Sequence, residues 1–235
     1  MELFNFSPIG FISSCYKEKF GIPRQPNLVT SLESKLILNH EFSDESVRGL
    51  EGFSHIWVSF VFHATQAQGW KQMVRPPRLG GNEKIGVFAT RSMFRPNPMG
   101  LSVVELKEIE ITKTGVVLTL LGCDLLDRTP VLDIKPYLPY VDSIPNAKGG
   151  FARSQPEITL SVEFTKGAEL ECQNASIRIG QNVELLIRQI LQLDPRPSYK
   201  KTEISDRIYS MRLCDFDLRW KYLDDNKISV LDLVT

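Results

Sequence analysis

The sequence predicts a mainly β protein, with a small antiparallel β-barrel in its N-terminal part and a smaller α+β domain after it. Most of the first 140 residues are apolar runs of strand length separated by short turns, with almost no helical periodicity. Residues 141–157 are rich in Pro, Gly and small polar residues, which is typical of a linker. Beyond them the pattern changes to strands around one amphipathic helix. We therefore expect a barrel domain over residues 1–145 and an α+β domain over residues 158–235.

The expected strands of the barrel follow one another closely. In chain order they are LFNFSPIGFIS, SKLILNHEF, FSHIWVSFVFH, IGVFAT, LSVVELKEIEI, GVVLTLLGCDL and VLDIKPYLPYV. Ser43, after the second, can cap a short turn of helix. The third is almost continuously apolar, which predicts a central strand buried on both faces. In the last, Pro136 and Pro139 favour an edge strand or an extended segment, because proline donates no ladder hydrogen bond.

The second domain is expected to begin with the strand ITLSVEF. In GQNVELLIRQILQL, which follows, helical spacing places these apolar residues on one face: Val183, Leu186, Ile187, Ile190 and Leu191. This helix should end at Asp194, where DPRP begins, because proline cannot continue it. Two strands, IYSMRLCDFDLRW and ISVLDLV, close the chain.

The charges balance, which limits the classes of partner. The 235 residues include 28 Lys and Arg against 28 Asp and Glu, so any attraction to nucleic acid must be local. The first residues, MELFNFSPIGFISSCY, carry no basic leader and read as a strand and not as a signal peptide. The longest apolar run is too short to span a bilayer. We expect a cytoplasmic protein that does not enter a membrane.

The cysteines and histidines have no metal-binding spacing. Cys15, Cys123, Cys172 and Cys214 are widely scattered without a CxxC pair, which favours free, mostly buried thiols in a reducing cytoplasm. An HExxH motif and close His/Cys clusters are absent, so no metal is expected. The GxGxxG and GxxxxGK[ST] motifs are absent too, which excludes a doubly wound nucleotide fold and a P-loop.

The strongest functional signal is RPPRLGGNEKIGVFATRSMFRPNPMGLS, from Arg75 to Ser102. Proline stiffens this stretch and glycine lets its backbone approach a ligand, so four arginines can project from a rigid surface: Arg75, Arg78, Arg91 and Arg95. A guanidinium binds phosphate or carboxylate through paired hydrogen bonds and stacks on bases. The stretch indicates a site that faces a nucleotide or nucleic acid. Two ordinary loops with solvated charges would have the same composition.

Two sets of ionisable residues are further candidates. His55 and His63 are eight positions apart on one expected strand and face the same side, as an acid–base or metal pair or as packed histidines would. His63 is the better functional candidate because it lies at the polar end of that strand. Asp124, Asp127 and Asp133 follow an apolar strand, where they could hold ribose hydroxyls, balance a cation or simply form a turn.

Two polar segments complete the candidates. GIPRQPN, residues 21–27, is a second proline-stiffened loop. DPRPSYKK and the arginines near it could form a basic surface on which an unpaired base stacks, or the ordinary solvated face of a small domain. The residues concerned are Tyr199, Arg207, Tyr209, Arg212 and Arg219. No Ser-His-Asp or Cys-His nucleophile can be argued from spacing.

Several of these motifs occur together in one family. IPRQPN, FSHIWVSFVFH, RPPRLGGN, GVFATRSMFRPNPMGLS and DLLDRTPVLDIKPYLPY resemble the TsaA-like (YaeB) family, and LDPRPSY and YSMRLCDFDLRW are similar to the C-terminal domain of its bacterial members. The resemblance covers nearly the whole chain. It implies a small β-barrel, a homodimer, and S-adenosylmethionine-dependent methylation of N6 of threonylcarbamoyl-adenosine at position 37 of tRNA, next to the anticodon.

The resemblance also implies the residues of the cofactor pocket. They are Gln25, Pro26 and Asn27 in the first loop, His63 and Ala64 after the central strand, Arg91, Leu101, and the stretch Asp124, Leu125, Leu126 and Asp127. The chain has Arg128 where the family more often has glycine, so the backbone of that turn is expected to differ. The second domain is expected to assist tRNA binding, and its removal to impair tRNA binding more than cofactor binding.

The expected mechanism depends mainly on holding N6 of the substrate in line with the methyl group on the sulfonium of the cofactor. Arg91 or Arg95 could clamp the threonyl carboxylate, and Asp124 or Asp127 could stabilise the cationic sulfonium. The N6 proton would pass to His63 or to water. Two other classes of function stay open: a non-catalytic RNA- or nucleotide-binding module, and a hydrolase that uses His63 with one of the two aspartates.

Overall fold

The computed structural model describes residues 3–158, 160–196 and 206–235. Its strands are β1 (Gly10–Ser13), β2 (Glu33–Leu38), β3 (His55–Val61), β4 (Met73–Val74), β5 (Ile85–Gly86), β6 (Met99–Thr112), β7 (Gly115–Leu121), β8 (Pro130–Pro136), β9 (Ser161–Phe164), β10 (Tyr209–Leu213), β11 (Phe216–Asp224) and β12 (Lys227–Val234). Its α-helices are α1 (Pro139–Asp142), α2 (Lys166–Ile179) and α3 (Val183–Gln192). Within the described ranges, no helix has the length and apolar character needed to cross a membrane.

Strands of the N-terminal part close into a barrel in the order β1-β2-β7-β6-β3-β8. Neighbouring strands are antiparallel, and β1 meets β8 with Gly10 opposite Val131. Alternate side chains point into the barrel, because neighbours along a strand face opposite sides of the sheet. They form a buried apolar core that includes Ile12, Leu36, Ile56, Val58, Val104, Leu118 and Val131. The predicted barrel is confirmed. So is the cap of the short helical turn after β2, where the Ser43 hydroxyl accepts from the Glu45 N–H.

Closure of the barrel corrects two predictions about single strands. β3 is not buried on both faces, because a barrel has one interior; Ile56, Val58 and Phe60 are buried and the residues between them are half-exposed. β8 is not an edge, because it pairs with β1 on one side and with β3 on the other. Its prolines, Pro130 and Pro136, lie at its two ends, where a missing N–H donor is tolerated.

Two apolar runs form less strand than predicted. In IGVFAT only Ile85–Gly86 is a strand, paired with β4, and Val87–Ala89 is a 3-10 turn. In LFNFSPIGFIS only β1 is a strand, and Phe4 and Phe6 before it are exposed. An apolar run becomes a strand only where a neighbouring strand is available to pair with it.

The C-terminal domain is a four-stranded sheet in the order β10-β11-β12-β9, with α2 and α3 packed against it. The apolar face predicted for α3 is confirmed, since all of its residues are buried. α2 was not predicted from the sequence. The run IYSMRLCDFDLRW is a hairpin and not one strand, because β10 and β11 pair across a turn at Cys214, where φ is 51°.

The prediction of four free thiols is wrong. Cys15 and Cys214 form a disulfide, with their Cα atoms 4.0 Å apart, while Cys123 and Cys172 are free and buried. The segment after β1 lies against the β10–β11 turn, and the Cys214 N–H donates to the Cys15 carbonyl at 2.7 Å. The paired cysteines are 199 positions apart, so their contact depends on how the two domains pack and leaves no local signal in the sequence.

Candidate functional site

The first loop (residues 21–27) meets the start of β6 and the turn after β7 at one rim of the barrel. Asn27 joins these segments: its N–H donates to the Gly122 carbonyl at 2.8 Å, and its Nδ2 donates to the Val103 carbonyl at 3.2 Å. Asn27 and Gly122 both have left-handed backbones, with φ of 62° and 69°. A Cβ atom on Gly122 would lie 2.2 Å from Asn27 Oδ1, so this close approach requires glycine.

Asp124 supplies a carboxylate in the turn after β7. Ser102 Oγ donates to Asp124 Oδ1 at 2.8 Å. Burial raises the pKa of Asp124 to about 6, against the opposing effects of the Ser102 hydrogen bond and the positive charge of Arg91. At neutral pH the group is a partly desolvated carboxylate, which suits it to a cation or to ligand hydroxyl groups.

Arg91 connects the first loop with this turn. Its side chain is exposed, and its Nη1 donates to Gln25 Oε1 at 2.5 Å. Its charge also acts on Asp124. The structure therefore brings together, from separate places in the sequence, Gln25, Asn27, Arg91 and Asp124.

Leu101 and Pro26 are the expected apolar residues of the pocket. Leu101 directly precedes the buried Ser102 on β6, so its side chain is on the outer face of the barrel, where it is 53% exposed. Pro26 is half-buried within the first loop. Apolar surface next to a few placed polar groups is typical of a small-molecule site.

In the stretch 124–127, the side chains that follow Asp124 are less available to a ligand. Asp127 is occupied, because its Oδ1 accepts from the Ser14 N–H at 2.9 Å and its Oδ2 pairs with Lys17 at 2.9 Å. Leu125 is buried in the barrel core. Leu126 is half-buried in a turn that its carbonyl closes by accepting from Thr129. These residues can face a ligand mainly through their backbone.

Arg128 follows that stretch with φ of 61°. This is the left-handed conformation that glycine adopts without strain. The turn therefore has the backbone conformation that glycine favours, although this chain has an arginine there.

The histidines do not share a strand as predicted. His55 begins β3 and its Nδ1 is 2.9 Å from Ser54 Oγ, whereas His63 begins a 3-10 turn, His63–Gln68, beyond the end of β3. Within the described residues, no hydrogen bond joins His63 to Asp124 or Asp127, so the pair required by the hydrolase hypothesis is not formed. His63 and the exposed Ala64 follow β3, whose last residue, Val61, is opposite Met99 at the start of β6.

The other arginines of the Arg75–Ser102 stretch differ in their surroundings. Arg95 Nη1 donates to the carbonyls of Thr90 at 2.8 Å and Val87 at 3.3 Å, so it stiffens its own turn. Arg78 is exposed and donates to the Ser154 carbonyl at 2.7 Å. Arg75 is exposed.

The C-terminal basic surface consists largely of paired groups. Arg212 pairs with Asp217 at 3.4 Å, and Arg219 with Asp232. Tyr209 packs against Trp220 with ring centroids 5.9 Å apart, so it is part of an aromatic cluster and not an open stacking platform.

Within DPRP, Arg196 is buried and pairs with Asp194 at 3.0 Å. Tyr199 lies outside the described residues. Asp133, the remaining carboxylate candidate, is on β8 and pairs with Lys135.

Two residues of the rim were not predicted. Gly122 and Ser102 fix Asn27 and Asp124, and neither was named as a site residue. Ser102 ends the Arg75–Ser102 stretch, and Gly122 directly follows a strand, where glycine often marks a close backbone approach.

Comparison with known proteins identifies the family of the chain. The family model described as tRNA-methyltransferase O N-terminal domain matches residues 11–143, and the TrmO C-terminal domain model matches residues 157–235. The tRNA (adenine(37)-N6)-methyltransferase of Escherichia coli (strain K12) is 50% identical over 225 residues, which is 95% of each chain. A Pseudomonas aeruginosa relative, whose name refers to S-adenosylmethionine-dependent methyl transfer, is 46% identical over 97% of this chain and 96% of its own. A crystal structure of TrmO has a TM-score of 0.84 at 40% identity, covering 100% of both chains. The chain therefore belongs to the tRNA-methyltransferase O family.

Proposed function

We propose that this protein transfers a methyl group from S-adenosylmethionine to N6 of threonylcarbamoyl-adenosine at position 37 in the anticodon loop of tRNA. The observation that carries the proposal is the convergence of Asn27, Arg91 and Asp124 at one rim of the barrel. The name of the Escherichia coli relative, which specifies methylation of adenine 37 in tRNA, supports it.

The residues at the rim fit the chemistry of S-adenosylmethionine, which carries cationic groups, ribose hydroxyls and a flat base. Asp124 offers a carboxylate, Gln25 and Asn27 offer amides, and Leu101 offers apolar surface. When bound, the cofactor supplies the methyl group. We assign the remaining contacts, through backbone or shape, to Pro26, His63, Ala64, Leu125, Leu126 and Asp127.

Asp124 should hold the donor without binding its sulfonium too strongly. The positive charge on sulfur disappears in the transition state, so a carboxylate that stabilises it also stabilises the ground state. The Ser102 hydroxyl moderates the carboxylate by donating to it. Most of the rate gain then comes from orientation, which can contribute roughly 7–11 kcal/mol in well-positioned reactants.

We assign the threonyl carboxylate of the substrate to Arg91. The guanidinium has several N–H donors, and the contact with Gln25 uses only one of them. Arg95 is a weaker candidate because it already donates to two backbone carbonyls. For the N6 proton, His63 and solvent remain the two acceptors.

The test is transfer of labelled methyl to tRNA with and without the threonylcarbamoyl group, followed by nucleoside mass analysis. Transfer to the modified tRNA alone would support the proposal. Transfer to unmodified adenosine would contradict the assigned substrate. Binding of both tRNAs with no transfer to either would favour a non-catalytic RNA-binding module.

We also propose a homodimer and a cytoplasmic location. Large apolar side chains are exposed between residues 70 and 99, and a second subunit could cover them: Trp70, Met73, Phe88 and Met99. Light scattering would measure the mass, and Phe88→Glu should shift it towards the monomer. The cytoplasmic location is supported only by the proposed tRNA substrate.

A further inference from the structure

Residues 14–32, which we call the strap, connect β1 to β2 and carry the first loop in their middle. The strap begins and ends in the barrel, yet much of it packs on the C-terminal domain. Tyr16, Val29 and Leu32 are buried in the apolar core of that domain and not in the core of the barrel.

Before the first loop, the strap is fixed to the C-terminal sheet. The disulfide joins Cys15 to the β10–β11 turn. Phe20 stacks on Trp220, with ring centroids 6.0 Å apart and an angle of 10° between the ring planes. Gly21, with φ of 86°, lies so close to Met211 that an added Cβ would be 2.4 Å from its Sδ.

After the first loop, Gln189 on α3 holds the strap by hydrogen bonds. Gln181, just before α3, holds the first residue of β2 in the same way. The Ser31 N–H and hydroxyl both donate to Gln189 Oε1, at 3.1 and 2.8 Å, and Gln189 Nε2 donates to Thr30 Oγ1 at 3.3 Å. Glu33 and Gln181 bond reciprocally: the Glu33 N–H donates to Gln181 Oε1 at 3.0 Å, and Gln181 Nε2 donates to the Glu33 carbonyl at 3.1 Å.

Between these attachments lie Gln25 and Asn27, whose own contacts are with the barrel side of the rim. The C-terminal domain thus fixes both ends of the segment that carries them. We propose that Gln189 is a positioning residue for the methyl-donor site, and that it acts by holding the strap in the conformation that presents Gln25 and Asn27. This inference rests on the proposed function, because it assigns the first loop to the cofactor.

Loss of the Gln189 contacts should weaken cofactor binding and leave tRNA binding and the methyl-transfer step unchanged. A preorganised loop binds a ligand more tightly because less ordering remains to be done on binding. Gln189→Ala removes the acceptor of two strap hydrogen bonds. One neutral hydrogen bond corresponds to about tenfold in a dissociation constant.

The experiment measures S-adenosylmethionine binding to the full-length protein by calorimetry, together with KM for each substrate and kcat. For Gln189→Ala we expect the Kd and KM for S-adenosylmethionine to rise about tenfold. The KM for tRNA and the kcat at saturating cofactor should stay unchanged. Gln189→Glu should restore the wild-type Kd, because a carboxylate can accept both Ser31 hydrogen bonds.

The matched control is Gln192→Ala, on the same helix. Gln192 is half-buried like Gln189, and in the described part of the chain its side chain makes no hydrogen bond to the strap. Hydrogen exchange at the Asn27 and Ser31 amides gives a second measurement, and both should exchange faster in Gln189→Ala than in the control.

A Gln189→Ala protein with the wild-type Kd for S-adenosylmethionine would overturn the inference, even if its melting temperature were lower. Equal weakening in Gln192→Ala would overturn it as well. The wild-type protein tests the proposed function separately: if it bound no S-adenosylmethionine, both would fail. If it methylates tRNA while Gln189→Ala binds normally, only the positioning role fails.

Discussion

Arg91 links the first loop to the turn that carries Asp124, and it can do so without supporting the fold. Its side chain is exposed and its one described hydrogen bond is to Gln25. We expect Arg91→Ala to weaken binding of cofactor or substrate by more than about tenfold, since a hydrogen bond to a charged group contributes roughly 1.5–3 kcal/mol. The melting temperature should stay unchanged. Kd and KM measurements beside Arg219→Ala, an exposed arginine that already pairs with Asp232, check this, and unaltered methylation by Arg91→Ala would refute the assignment.

Asp124 makes the donor site sensitive to pH. Its pKa is raised to about 6 by burial, so the folded protein holds this proton more tightly than the unfolded chain does. Its contribution to folding stability is therefore fully present at low pH and is lost as the pH rises through about 6. Binding of a cation at Asp124 is instead favoured at high pH, because it requires the ionised carboxylate.

We therefore expect the affinity for S-adenosylmethionine to fall as the pH drops below the pKa of Asp124, approaching about tenfold per pH unit. Calorimetry from about pH 5 to pH 8 would measure it, and Asp124→Asn should bind more weakly but with a flat profile. If the Asn variant kept the same pH dependence, another titrating group would be responsible.

At the scale of elements, a helix can be predicted from the sequence when its buried face has a clear apolar pattern, and a strand when a partner strand of similar length pairs with it. α3 was predictable because its buried face consists of large aliphatic residues at helical spacing. α2 was not, because its buried residues are the small Ala168, Cys172 and Ala175, which give almost no amphipathic contrast. IGVFAT has strand composition but only a two-residue partner, β4, so most of it forms a turn.

The disulfide is the clearest link between elements that a local pattern cannot reveal. It joins the strap to the β10–β11 hairpin across 199 positions, so in the chain-entropy account it restricts the unfolded chain strongly. We expect reduction to lower the free energy of unfolding by about 2–4 kcal/mol. Thiol titration of the denatured protein should find only Cys123 and Cys172 reactive before reduction.

Denaturant melts with and without reductant would test this. Cys15→Ala should be as unstable as the reduced wild-type protein and should not respond further to reductant. Reaction of all four cysteines in the oxidised protein would show that the bond does not form.

At the scale of the whole molecule, the site combines segments that are distant in the sequence. Gln25, Asn27, Arg91 and Asp124 could be proposed from family motifs, but their convergence depends on barrel closure. The contacts of Gln189 with the strap could not be foreseen, because they join residues 158 positions apart. The motif DPRP looked like part of a basic surface, whereas its Arg196 is buried in an ion pair.

The balanced charge of the whole molecule makes a prediction about tRNA binding. With 28 residues of each sign, electrostatic attraction must come from a local group of cations. Arg75, Arg78 and Arg91 are exposed along one stretch, whereas Arg219 in the C-terminal domain is paired with Asp232. If Arg75 and Arg78 each contact one phosphate of the single-stranded loop while Arg91 binds the threonyl carboxylate, the logarithm of the tRNA binding constant should fall with log salt with a slope of about −1.4.

Filter binding between about 50 and 200 mM salt should then show a loss of affinity of about sevenfold. Arg75→Ala should reduce the slope by about 0.7, because one phosphate contact is lost. Arg219→Ala should leave it unchanged, because that guanidinium is already neutralised by its carboxylate. If Arg219→Ala changed the slope and Arg75→Ala did not, tRNA would bind chiefly to the C-terminal domain, and Arg91 at the rim would serve only the modified nucleoside.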